Sequence, residues 1–454
     1  MMIDRYGGCH STSESSAVQW FETAVAAVAA HRPVGSALQS ALGLDPGLVS
    51  AHALLGLANV ILGRTETHAV AADYRSAALR ALEERDGGSP SERALVRAVD
   101  LAATGHLSAA ADTLEKHLEI CPTDFLAVKI AHSLRFMCGQ PAEMLALTRR
   151  VLPHWTPQNG GYGFVVGCHA FALEENGYYR EAESRGREAY SHEAADAWGL
   201  HAVSHVMEMS NRTTEGIEWL TTSRKDWTLC NNFAYHIGWH LALFHLERGE
   251  VAMVLDLYDQ DVRATPTDDF RDMANAASLL WRLEQEGVDV GPRWDALYDI
   301  ASRRREDTTY IFGSLHYLLV LLAKGDKRGA SELMGALRER AATTGDQADI
   351  AARVGLPLAE VLAAAGDAPA MRYDLANLGV QLQSLGGSHA QRDVFLRSLL
   401  VAASRKGDAQ DVIALSRVRH TLRSSDRFIR MIDRRCGLAS LVRPPARSPG
   451  EFAL

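Results

Sequence analysis

PSERALVRAVDLAATGHLSAAADTLEKHLEICPTD, residues 90–124, decides the fold. Ser89 stands before it as a helix cap, and Pro90 takes the first helical position, where a missing N–H costs nothing. A first helix runs to about Ala103 and Gly105 makes the turn. The small Ala109 and Ala110 lie where the second helix crosses the first. Pro122 cannot continue a helix and closes the unit. Such a pair has more apolar surface than it can bury alone, so it needs a neighbour on each side.

The same punctuation recurs along the chain. Glycine-bearing polar turns appear at Gly105, Gly139, Gly177, Gly249, Gly287, Gly325, Gly366 and Gly407, and SNRTTEGI near Asn211 fills the gap between Gly177 and Gly249. Successive turns are about 34–41 residues apart, close to the length of a tetratricopeptide helix pair. The earlier stretch LDPGLVSAHALLGLANVILGR reads alike, with Pro46 at its start and Gly56 where two helices pack closely. Strand signals are nearly absent. The expected fold is all-α: a solenoid of tetratricopeptide-like helix-turn-helix repeats. About ten hairpins span 16–435, with a disordered N-terminus over 1–15 and a loose tail over 436–454.

Composition agrees with this and narrows the function. A chain of 454 residues exceeds one ordinary core, which suits a repeat array. Its formal net charge of −9 argues against a nucleic-acid partner, which needs a basic face. The six cysteines are scattered and form neither a zinc ribbon nor a disulfide framework. There is no secretory h-region at the N-terminus, and no apolar run approaches the roughly 20 residues that span a bilayer. A cytoplasmic protein with reduced thiols and no membrane partner is expected.

The chemistry-bearing residues gather in the middle. GLHAVSHVMEM (199–209) and NNFAYHIGWHLALFHLERGE (231–250) each carry histidines four apart, His201 with His205 and His236 with His240. A four-residue spacing puts both rings on one helix face. Two such pairs among 18 histidines is near chance, but their placement 35 residues apart is one repeat. The same inward face is thus presented twice, by helices roughly 10 Å apart. His169 and His316 extend this lining, and Glu208 continues the His201–His205 stripe.

Three readings follow. The histidines are polar contacts between packed helices. Or His201, His205, His236 and His240 are metal ligands for Zn²⁺ or Fe²⁺, with Glu208 and His205 in catalytic roles, Glu208 as general base or a further ligand. Or the histidines, with Asn232, Tyr235 and Trp239, hold a polar small molecule or a peptide terminus. Trp239 lies about 100° around the helix from His240, which suits packing. The other tryptophans of the middle third read as core. No zincin helix, phosphate loop, dinucleotide fingerprint or nucleophile elbow is present.

GGSHAQRDVF (386–395) is a second polar helix start. Arg392 can fork onto a carboxylate there, but capping and ion pairing between two repeats is the favoured reading, because a first helical turn attracts polar residues.

HAVSHVMEMSNRTTEGIEWL, the HIGWHLALFHLERGE helix followed by LDLYD, SLLWRLEQEGVDVGPRW, ARVGLPLAEVL and GGSHAQRDVF, in this order, resemble the tetratricopeptide-repeat protein 38 family over about residues 40–430. The resemblance implies the helical repeat fold and supplies no reaction. His201, His205, Glu208, His236 and His240 fall on matching positions. His389 stands where the family pattern implies asparagine, which argues against a catalytic role for it. The sequence therefore leads to a small-molecule or metal site in a concave groove, belonging to a metal-dependent hydrolase or oxidoreductase. The rival is a scaffold that binds a peptide along the groove.

Overall fold

The computed structural model describes residues 1–364, 373–424 and 426–437. The unit at 90–124 shows how its sequence builds it. Ser89 Oγ accepts from Glu92 N, and the Glu92 carboxylate returns a bond to Ser89 N, so both ends of the capping box are made. The helix Pro90–Ala102 follows, then Gly105 at φ +89°, then the helix Leu107–Leu118. Ala110 and Ala111 are the fully buried small residues at the crossing, one position later than expected, and Ala109 is half-buried. Asp124 caps the next helix through Ala127 N.

All the turn glycines within the described residues adopt left-handed backbone, and Asn211 takes the same conformation at φ +56° in the turn that lacks glycine. Asparagine is among the few side chains that tolerate it. The turn at Gly366 lies outside the described residues. Gly56 is required by packing, since a Cβ there would meet Val99 Cγ2 at 2.5 Å.

Helices dominate the described residues, and most helices adjacent in sequence are adjacent in space. The helices that carry the site are α1 (Phe125–Met137), α2 (Tyr162–Glu175), α3 (Ala197–Met209), α4 (Phe233–Arg248), α5 (Phe270–Gln285) and α6 (His389–Lys406). Nearly every residue of α2 and α3 is buried, so these helices have no solvent face. One continuous apolar cluster runs from Tyr6 to Ile432.

A second set of contacts joins segments 180 or more residues apart. Arg304 forks onto Glu66, Ser108 N donates to Asp346, and Arg392 pairs with Glu175. Ser424 N donates to Met209 O, and Arg427 N to Glu247. The early helices are thereby fastened to the late ones, and the inward helix faces are enclosed.

The expected disorder over 1–15 is overturned. Strands β1 (Met2–Ile3) and β2 (Cys9–His10) pair antiparallel, and Asp4, Tyr6, His10 and Thr12 are buried. The Asp4 carboxylate supplies the reason: it accepts from Tyr6 N and Gly8 N and holds the His10 ring, whose other nitrogen meets Ser50 Oγ. Ser89 Oγ donates to Cys9 O and Phe125 N to Tyr6 O, which ties the hairpin to the helices. Of the expected tail, only Cys436 and Gly437 lie within the described residues. All six cysteines are free thiols. No helix among the described residues is long and apolar enough to cross a membrane.

Candidate metal centre

α3 and α4 deliver the histidine pairs. α3 is started by Asp196, whose carboxylate accepts from Gly199 N. Burial pushes Asp196 up to about 7. The cap fits because Gly167 and Gly199 have no side chain; a Cβ on either would lie 2.1 or 2.4 Å from the Asp196 carboxylate. α4 is allowed close to its neighbour by Gly238, where a Cβ would meet Asp261 Cβ at 2.8 Å.

The rings of His201, His205, His236 and His240 converge on one point, and all are buried. His201 Nε2 lies 2.9 Å from His236 Nε2, 2.9 Å from His205 Nε2 and 3.1 Å from His240 Nε2. His236 and His240 Nε2 are 3.2 Å apart. Hydrogen bonding does not account for these contacts. A neutral imidazole nitrogen carries either one hydrogen or one lone pair in the ring plane, so His201 Nε2 has one good partner, not three. The outer nitrogens tighten the argument. His240 Nδ1 meets Glu208 Oε2 at 2.9 Å and His236 Nδ1 meets Asn275 Oδ1 at 3.0 Å. Both acceptors call for hydrogen on Nδ1, which leaves a bare lone pair on each Nε2. Nor does protonation relieve the crowding. Burial, then the neighbouring imidazoles, holds His201 and His205 well below the usual histidine value, and burial pushes His236 down to about 3.

A divalent ion removes the conflict. At metal–nitrogen bonds of about 2.0–2.1 Å, tetrahedral ligands are about 3.3–3.4 Å apart and ligands at right angles about 2.9 Å apart. The observed separations of 2.9–3.2 Å run from the right-angled value towards the tetrahedral one. Outer-shell carboxylates and amides that orient ligating histidines are the normal accompaniment of such a site. Glu208 and Asn275 fill that role for His240 and His236. Glu174 stands behind His205, with Oε2 3.5 Å from Nδ1. Neither Glu174 oxygen has a hydrogen-bond partner among the described residues. Burial, then the charges of Glu175 and Glu208, raises its carboxyl well above the usual range.

Beside the cluster is a cavity of about 150 Å³. His201 and His236 form part of its wall, with Trp198, Phe233, Asn232 and Arg271.

The structure redistributes the residues expected to act. Glu208 does not line this cavity: its carboxylate lies between His240 Nδ1 at 2.9 Å and Arg423 at 3.4 Å, a place that suits orienting that ring. His205 belongs to the cluster but does not line the cavity, which leaves it a ligand position and no general-base position. Trp239 is fully buried and stacks on His236 from behind. His169 is turned away onto Thr148 Oγ1 at 3.0 Å. His316 Nδ1 donates to Phe312 O in its own helix, at 2.8 Å. Tyr235 does not line the cavity, and of the non-histidine candidates Asn232 alone does. Arg392 has its fork filled by Glu175 and the carbonyls of Gly386 and Gly387, and His389 binds Glu175 O at 2.9 Å. That start of α6 is therefore the inter-repeat network.

Trp198, Phe233, Arg271, His31, Glu174 and Asn275 were not singled out. Glu174 stands 34 residues before Glu208, one repeat earlier, which was a usable signal. No family model matches the chain.

Proposed function

We propose that the protein is a metal-dependent enzyme acting on a small molecule, with His201, His205, His236 and His240 holding one Zn²⁺ or Fe²⁺ ion. The observation that carries this is the His201 Nε2 atom, which faces three other imidazole nitrogens within 3.1 Å. The cavity walled by His201 and His236 gives a substrate access to the cluster, and an ion bound there would supply Lewis acidity to a carbonyl or a water. Both ions take imidazole ligands and keep positions open for chemistry.

A peptide-binding scaffold is the weaker reading. It needs a long open groove, whereas the inward faces of α2, α3 and α4 are buried and the adjoining cavity is small. The helix pairs, their left-handed turns and their neighbour-by-neighbour contacts support a tetratricopeptide-like superhelix, closed by its late helices. The resemblance to the tetratricopeptide-repeat protein 38 family is part of this proposal.

Metal analysis of protein purified without chelator tests it. Wild type is expected to hold about one transition-metal ion per chain, and His201→Ala and His236→Ala are expected to hold less than about a tenth of that. A metal-free wild type that takes up neither Zn²⁺ nor Fe²⁺ overturns it.

A further inference from the structure

The cavity beside the histidines has two kinds of wall. One is aromatic. His31 stacks on Phe233 at 4.3 Å with planes 21° apart and on Trp198 at 5.4 Å with planes 16° apart, so three flat rings lie nearly parallel. Phe136, Phe270 and Phe312 add further apolar surface. The backbone holds His31 there by a left-handed φ of +52° and by the bond from Asn231 N to His31 O at 2.7 Å. A non-glycine residue in that region is a maintained cost of the sort found at binding sites.

The other wall is polar and contains one cation, Arg271, in the first turn of α5. Its Nε and Nη2 are engaged by Asp269, at 2.8 and 2.6 Å. Nη1 takes no part in those bonds, and the side chain, 39 % exposed, lines the cavity. Asn232 and Gln391 supply amide groups to the same space. A guanidinium held on one edge by a carboxylate is fixed in orientation and offers its remaining edge to a second anion.

We infer that this cavity binds a small planar carboxylate, an aromatic or conjugated acid, with its carboxylate on Arg271 Nη1 and its flat body along the Trp198–His31–Phe233 stack. The volume of about 150 Å³ suits a single ring or a short conjugated chain. Its identity as the substrate chamber rests on the metal reading, because His201 and His236 wall the same space. Anchoring by Arg271 is independent of the ion.

The test is calorimetric titration of benzoate, trans-cinnamate and the neutral isostere benzamide into chelator-stripped and Fe²⁺-loaded protein. Stripped wild type is expected to bind one of the acids at least about tenfold more tightly than benzamide, the worth of one charge-assisted contact. Arg271→Gln is expected to remove that preference and leave benzamide binding unchanged. Arg271→Lys keeps the ion pair with Asp269, guards against misfolding, and is expected to weaken the acid several-fold through loss of the fork. Equal binding of acid and amide by stripped wild type, undiminished acid binding by both variants, or binding of none of the three probes overturns the inference. Arg271-dependent acid binding in a protein that never takes up metal sinks the metal reading alone.

Discussion

Replacing Glu208 by glutamine probes the site without touching a ligand. Glu208 accepts the Nδ1 hydrogen of His240 at 2.9 Å, in a place where the ring is wholly buried. Glutamine has the same shape and presents an oxygen to the same hydrogen. The bond survives and its charge does not. Charge-assisted hydrogen bonds contribute about 1.5–3 kcal/mol against about 0.5–1.5 for neutral ones, so about 1.4 kcal/mol is lost. That corresponds to about a tenfold weaker metal complex, the low end of the effect expected for a residue behind a ligating histidine. Folding is protected, because Arg423 keeps Asp426 at 3.1 Å and Asp393 at 3.4 Å when the charge on Glu208 is gone. Competition for the ion against a fluorescent chelator reads the change directly. A dissociation constant within twofold of wild type, at unchanged stoichiometry, would refute the claim that Glu208 orients and polarises His240.

Two further outcomes concern stability. Burial pushes His132 and His316 down to about 3, so both stay neutral in the folded chain while the unfolded chain takes up protons below 6.5. Their contribution is intact above 6.5 and is lost as pH falls toward 3, at about 1.4 kcal/mol per pH unit for each ring; urea midpoints are expected to drop between pH 6.5 and 5, and a flat profile contradicts the assignment. Gly199→Ala puts a Cβ 2.4 Å from the Asp196 carboxylate that caps α3, and is expected to cost about 1–3 kcal/mol by cap loss and overpacking, read by urea unfolding of the chelated protein, where an unaltered midpoint removes the argument.

Much of the helical scaffold was written locally. The Ser89–Glu92 capping box and the glycine turns act within a few residues, and periodicity reports them faithfully. The two histidine pairs were legible for the same reason, since four-residue spacing fixes a helix face. What escaped notice is carried by the meeting of distant segments. Arg271 enters the cavity by way of a helix start that reads like any other capped turn, and His31 reaches it only because Asn231, 200 residues on, holds its carbonyl. Glu208 is legible as a member of the stripe, but its pairing with His240 is not, since only packing shows it. The N-terminal hairpin was missed because its stability comes from one aspartate gathering donors, a device without a periodic signature.

The fastenings between early and late helices bear on how the molecule comes apart. Units joined only to their sequence neighbours can fray from either end, one at a time. Here Glu66 is clasped by Arg304, Gly105 O receives Asp346 N, and Met209 O receives Ser424 N, so opening any of these units also breaks a clasp to a partner far along the chain. Loss of order should be nearly all-or-none, and the histidine cluster, at the middle of the closed circuit, should keep its geometry until the whole protein melts.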